Sequence, residues 1–257
     1  MEQDYHTHST YSDGRFLFAM VRAASEAGLS GIGISDHCTV SEREPMRGQR
    51  NLLGFNLDVT YERRRGAIEG LRERVDIAVH DAVEMDYDPR EEGAIADFLD
   101  QAGFDYAIGS VHHLEDTNVH VEPYFAEKPE RERRALVDRY FEKVVSLVES
   151  ELFAVAAHPD LIERTPALRG LASEEHYRRT AEAFVRSRTV PELNAGRVLD
   201  DYGSFHPSPV FLDALAEHGV RVTVGTDSHR PEEVAPRAER IDELLDERGI
   251  EPVELAV

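Results

Sequence analysis

A single-domain α/β fold, with seven strand–helix alternations closed as a parallel barrel, is the class the sequence predicts. Three observations predict it. Apolar runs of strand length alternate with helix-period segments along the chain as far as the seventh strand, without an internal repeat, linker or low-complexity tract. Six of those runs end in, or lead directly to, a side chain suited to holding metal, and parallel barrels gather the C-terminal ends of their strands on one face. The glycine-rich phosphate loop after the first strand, which marks the open doubly wound alternative, is missing. A chain of this length that is 41% hydrophobic can bury a full core.

The first strand carries His6 and His8. Residues two apart in a strand face the same way, so both imidazoles can share one ion, with Asp13 supplying a carboxylate from the loop beyond. Residues 16–28 read as a helix stopped by Gly28, and the next strand reaches Asp36-His37. Pro45, Gly48 and Gly54 mark residues 39–56 as a long loop over the ligand-bearing face. A helical stretch at 58–74 leads to the strand that ends in Glu84. Tyr87-Asp88-Pro89 then breaks the chain before a helix ending near Gly103.

The strand from Phe104 delivers His112, and a polar segment at 115–129 precedes a helix whose apolar face runs from Leu136 to Val148 at helical spacing. Residues 153–157 deliver His158, with Pro159 at the strand's end. Ser173 opens a helix, residues 190–194 form a short sixth strand entering a turn at Gly196, and 209–218 is again helical. The seventh strand, 220–226, runs into Asp227-Ser228-His229. Nine candidate ligands thus converge: His6, His8, Asp13, His37, Glu84, His112, His158, Asp227 and His229.

Charge narrows the partners. With 29 Lys and Arg against 51 Asp and Glu, the formal net charge is −22, which opposes nucleic-acid backbones and anionic membranes. An excess of this size also suits a surface adapted to high salt, where screening removes carboxylate repulsion. Cys38 is the only cysteine, so neither an intrachain disulfide nor a cysteine-rich zinc module is available, and a reducing compartment fits. The first residues lack the charged and apolar regions of a secretion signal, and no apolar run approaches ~18 residues. A cytoplasmic location is expected.

Taken together, His6-Thr7-His8 with Asp13, Ser35-Asp36-His37, Val83-Glu84-Met85-Asp86, Gly109-Ser110-Val111-His112, Ala157-His158-Pro159 and Gly225-Thr226-Asp227-Ser228-His229 resemble the motifs of the polymerase and histidinol phosphatase (PHP) superfamily. The resemblance spans nearly the whole chain. It implies a distorted, seven-stranded TIM-like barrel with up to three divalent ions. It further implies that His6, His8, Glu84 and Asp227 hold one ion, Glu84, His112 and His158 a second, and Asp13, His37 and His229 a third. Glu84 would be the bridge. Imidazole and carboxylate suit Zn²⁺, Mn²⁺ or Fe²⁺, and a carboxylate can span two ions where a neutral imidazole cannot.

The stretches 104–112, Glu192-Leu193-Asn194 and Pro207-Ser208-Pro209 look like the monofunctional histidinol-phosphatase branch, although the turn after Asn194 is shorter than that branch usually has. The resemblance implies hydrolysis of a small phosphate monoester, most specifically L-histidinol phosphate, with Glu84 and Asp227 as catalytic groups. Arg164 and Arg197 begin loops on the ligand face, and either could supply the guanidinium fork that a phosphate dianion needs, with Arg197 expected to be the clamp and Arg164 the alternative. Asp36, Asp86, Asn194 and Ser228 are candidates for orienting the imidazoles. His80, His113, His120, His176, His206 and His218 are not read as ligands. The competing readings are a phosphatase for another small ester such as a nucleoside bisphosphate, a nuclease or proofreading module, and a non-catalytic metal-binding protein.

Overall fold

The computed structural model describes residues 1–257. In chain order the elements are β1 (Gln3–Thr7), α1 (Leu17–Glu26), β2 (Gly31–Ile34), β3 (His37–Cys38), α2 (Glu44–Leu53), α3 (Tyr61–Arg72), β4 (Ala78–Asp86), α4 (Glu92–Ala102), β5 (Tyr106–Ser110), β6 (His113–Leu114), β7 (Thr117–Asn118), α5 (Glu122–Ala126), α6 (Glu130–Glu149), β8 (Val155–Ala156), α7 (Glu174–Val185), β9 (Val190–Asn194), α8 (Pro209–Glu217), β10 (Thr223–Gly225) and α9 (Pro231–Arg248). Short 3-10 turns cover Leu57–Val59, Pro89–Glu91 and Leu161–Arg164.

The seven expected strands are β1, β2, β4, β5, β8, β9 and β10, all parallel and paired in that order, with β3 extending the ladder beside β4. The barrel closes at its ligand-bearing end. There Thr7 bridges Ser228, the His8 amide donates to the Ser228 carbonyl at 2.9 Å, and the Asp227 amide donates to the His6 carbonyl at 2.7 Å.

Helices shield the sheet where the apolar periodicity puts them. Leu17, Met20, Val21 and Ala24 of α1 pack with Ile32, Ile34 and Val79 on one side, and Val234 of α9 joins the same cluster. The larger cluster lies under α6, α7 and α8, where Leu136, Tyr140, Phe141, Phe184 and Phe211 are buried. The helix α9 has no counterpart among the sequence expectations. The stretch expected as one long loop, 39–56, contains α2, begun with Pro45 in its first turn and ended by Gly54 at φ 75°. Likewise the polar segment at 115–129 holds the β6–β7 hairpin's second strand and α5. Both segments fold over the barrel mouth, as their position predicts.

One irregularity sets up the site. Between the pairs Asp4–Ile32 and Thr7–Ile34, β1 has one residue more than β2. Such a bulge resets the alternation of a strand, and so neighbours Tyr5 and His6 both reach across the barrel. Tyr5 meets the Tyr106 ring edge-on at 6.0 Å, and His6 Nδ1 lies 2.8 Å from Glu192.

No helix is long and apolar enough to cross a membrane. The −22 charge yields a testable expectation: unfolding temperature should rise from low salt to molar KCl as carboxylate repulsion is screened. A flat or falling curve rejects adaptation of this surface to salt.

Candidate metal centre

The nine expected ligands meet at the barrel's C-terminal mouth. His6 Nε2 and His8 Nε2 are 3.1 Å apart, and His8 Nε2 is 3.2 Å from Asp227 Oδ1. Glu84, 1% exposed, stands between the groups. Its Oε2 lies 3.5 Å from His6, 3.6 Å from His8 and 2.7 Å from His37. Its Oε1 lies 3.0 Å from His158 and 3.5 Å from His112. Asp13 Oδ1 is 3.3 Å from His229 Nε2 and 3.6 Å from His37 Nε2. Three sets, His8–Asp13–His37–His229, His6–His8–Asp227 and His37–Glu84–His112, each present ligand atoms close enough together for one ion.

The donor set fits divalent cations on physical grounds. Glu84 Oε2 is buried and close to three ring nitrogens, yet none is aligned to hydrogen-bond it. An unpartnered buried carboxylate oxygen is costly unless a cation completes its surroundings. The charge balance agrees. Burial, together with the neighbouring His229 and His37, lowers His8 to about 4, favouring the neutral imidazole that ligates metal. Burial also opposes charge on His37, but Glu84 and Asp13 outweigh it and raise that ring to about 10.

Local backbone serves the same end. His158 and Asp227 occupy the left-handed region at φ 28° and 51°, a conformation that side chains other than glycine adopt at a cost and that clusters at functional sites. Gly225 is required by contact: a Cβ there would stand 2.0 Å from Glu192 Oε1 and 2.6 Å from His6 Cβ. Gly225→Ala should therefore displace the Glu192–His6 pair, with a loss of roughly 1–3 kcal/mol from overpacking. Thermal unfolding combined with metal analysis checks this, and unchanged values for both would refute it.

The groups around the ligands are partly those expected. Asp86 Oδ1 pairs with His112 Nδ1 at 2.6 Å, and Asn194 donates to Glu192 at 3.0 Å. Asp36 reaches no imidazole directly; Ser12 Oγ donates to it at 2.7 Å and lies 3.4 Å from His8 Nδ1. Ser228 Oγ is buried without a hydrogen bond. Three contributors escaped the sequence reading. Glu192 holds His6 Nδ1 and accepts from the His158 amide at 3.1 Å, Ser110 Oγ donates to Glu84 Oε1 at 2.5 Å, and Arg64 anchors Asp36 at 3.0 Å. Glu192 alone had a signal, its position two residues before Asn194 in a strand otherwise apolar.

The histidines set aside find other partners. His80 pairs with Gln3 at 3.0 Å, His176 joins the capping box of α7, and His206 is buried against Asp160 at 2.7 Å. His113 contacts Gln49 at 2.8 Å and lines the cavity from β6. His120 is exposed and borders the same cavity.

Above the ligands opens a cavity of about 230 Å³, walled by Met46, Gln49, Leu53 and Phe55 on one side and by Arg164 and Arg197 on the other. Burial and the nearby Arg197 lower Arg164 to about 10, still a cation at neutral pH. Arg164 makes no ion pair with a protein carboxylate, whereas Arg197 is held by Asp200 at 2.8 Å.

The barrel itself has counterparts among solved structures. The fold matches the Lactococcus lactis histidinol phosphate phosphatase (HISK), a structure complexed with Zn, L-histidinol and phosphate, with TM-score 0.77 and 21% identity, covering 98% of this chain and 95% of that one. It also matches hisK from Listeria monocytogenes, with TM-score 0.75, 18% identity and coverage of 90% and 97%. In sequence, the chain is 27% identical over 236 residues, 89% of its length and 86% of the relative's, to a Deinococcus radiodurans protein named "Probable histidinol-phosphatase". The model of the PHP domain matches residues 4–196, from β1 to the turn after β9, and this chain therefore belongs to the PHP domain family.

Proposed function

We propose that this protein is a metal-dependent phosphoric monoester hydrolase whose substrate is L-histidinol phosphate. The observation that carries the reading is the convergence of nine ligands beneath a cavity whose far rim bears Arg164 and Arg197. His6, His8, Glu84 and Asp227 would hold one ion, Glu84, His112 and His158 a second, and Asp13, His37 and His229 a third. Such ions supply Lewis-acid charge and an activated water for in-line attack on phosphorus. Arg164 and Arg197 bind the phosphoryl oxygens left over, and their charge-assisted bonds orient the ester. Glu192 and Asp86 fix the rings of His6 and His112 by holding Nδ1, which leaves Nε2 facing the centre. Phe55, Met46 and Leu53 shelter the organic half of the ester from water.

A cavity of this volume in a chain of charge −22 suits a small ester better than a polyanion. The described residues act as one domain, and the single buried thiol, Cys38, suits the cytoplasm. A panel of esters offered to metal-reconstituted protein is the test. L-histidinol phosphate should have the highest kcat/KM by at least roughly tenfold, a difference of about 1.4 kcal/mol. Preference for a nucleoside bisphosphate would replace the substrate assignment, and failure to hydrolyse any monoester would reject the reaction class.

A further inference from the structure

We propose that Arg64, outside the ligand set, is a positioning residue that locks three ligand-bearing segments together from the barrel wall. The inference rests on the metal reading above. Arg64 lies on α3 and is 0% exposed. Its Nη1 donates to Asp36 Oδ2 at 3.0 Å, while Nη2 donates to Asp81 Oδ1 at 2.7 Å and to the Ala82 carbonyl. Asp36 precedes His37, and Asp81 and Ala82 precede Glu84 on β4. The planar fork of one guanidinium therefore sets the distance between the His37 segment and the Glu84 strand.

Asp36 carries the constraint onward to the β1 loop. Its Oδ1 accepts from the Ser9 amide and from Ser12 Oγ, both at 2.7 Å, and its Oδ2 accepts from Ser9 Oγ at 2.7 Å as well as from Arg64. All four lone-pair sites of the carboxylate are used. Two consequences follow. Ser9 directly follows His8 and Ser12 directly precedes Asp13, so both candidate ligands inherit their position from Asp36. Asp36 itself, although adjacent to a ligand, has no free acceptor with which to capture an ion. Removing Arg64 would loosen the geometry and release a competing anion at the edge of the centre.

The matched control is Arg65. It pairs with the other oxygen of Asp81 at 2.8 Å and with the Ala102 carbonyl at 2.7 Å, but makes no contact with Asp36. Metal-free full-length protein would be titrated with Co²⁺, following visible absorption for affinity and coordination and near-ultraviolet circular dichroism for folding. Losing an outer partner of a ligand shell lowers metal affinity by roughly 10–100-fold. Arg64→Met should show a loss of that size with an altered Co²⁺ spectrum, and Arg64→Lys should recover part of both. Ser12→Ala, which breaks the same network without stranding a buried charge, should shift the spectrum in the same direction. Arg65→Met should lower thermal stability yet keep wild-type affinity and spectrum.

Wild-type Co²⁺ affinity and spectrum in folded Arg64→Lys and Ser12→Ala would overturn the inference, whether or not Arg64→Met folds. An equal loss in Arg65→Met would also overturn it, by reducing Arg64 to a generic buried ion pair. If the wild-type protein takes up no Co²⁺, the metal reading itself is wrong and the inference goes with it.

Discussion

Glu84→Gln should lower kcat/KM by roughly 10³-fold, corresponding to about 4 kcal/mol of lost transition-state stabilisation. Both carboxylate oxygens face ring nitrogens, with Oε1 toward His112 and His158 and Oε2 toward His6, His8 and His37. An amide of the same shape keeps the packing but loses the charge, and it turns an NH₂ toward one group of rings. Metal content should drop below that of wild type, whereas the unfolding temperature of metal-free protein should change far less. Elemental analysis, kinetics and calorimetry on one preparation separate the three quantities. Wild-type turnover with wild-type metal content would remove Glu84 from the centre of the mechanism.

The arginines come next in size. Arg164→Ala should lower kcat/KM by roughly 10–100-fold, the equivalent of about 1.5–3 kcal/mol for charged hydrogen bonds to the phosphoryl group. KM should rise, because such contacts serve ground and transition states together. Arg164→Lys should restore only part, since a point charge cannot reproduce the bidentate fork. Arg197→Ala should show the same pattern with a smaller loss. Arg197 shares its charge with Asp200 at the exposed edge, whereas Arg164 has no carboxylate partner and stays available to the substrate. Metal content should be unchanged in all three variants. Wild-type kinetics for Arg164→Ala alongside a large defect in Arg197→Ala would reverse the ranking.

Much of this architecture is legible in the chain. The strands and their ligands can be read because two local regularities coincide: a short apolar run, and a polar side chain at its C-terminal end. The run 153–157 before His158 and the run before Asp227 illustrate it, although the paired strands there are only Val155–Ala156 and Thr223–Gly225. Local signals fail where a segment's conformation depends on what it covers. The helix α2 has the composition of a loop, and it holds because Met46 is buried and Gln49 bonds to His113 and to the Asp116 carbonyl.

The types of candidate ligand, their attachment to strand ends and hence the face on which they gather are written in the sequence, since each depends on period-two alternation and parallel connectivity. Tertiary structure alone decided which of these groups touch. The β1 bulge turns His6 toward Glu192, 186 residues away. Asp36 becomes a cross-link because Arg64 arrives from α3 and Ser9 and Ser12 from the β1 loop. Arg197 finds Asp200 while Arg164 finds no carboxylate. These choices rest on contacts between segments distant in sequence, whose geometry is set by closing the barrel and pairing the polar groups it buries, and no local pattern encodes them.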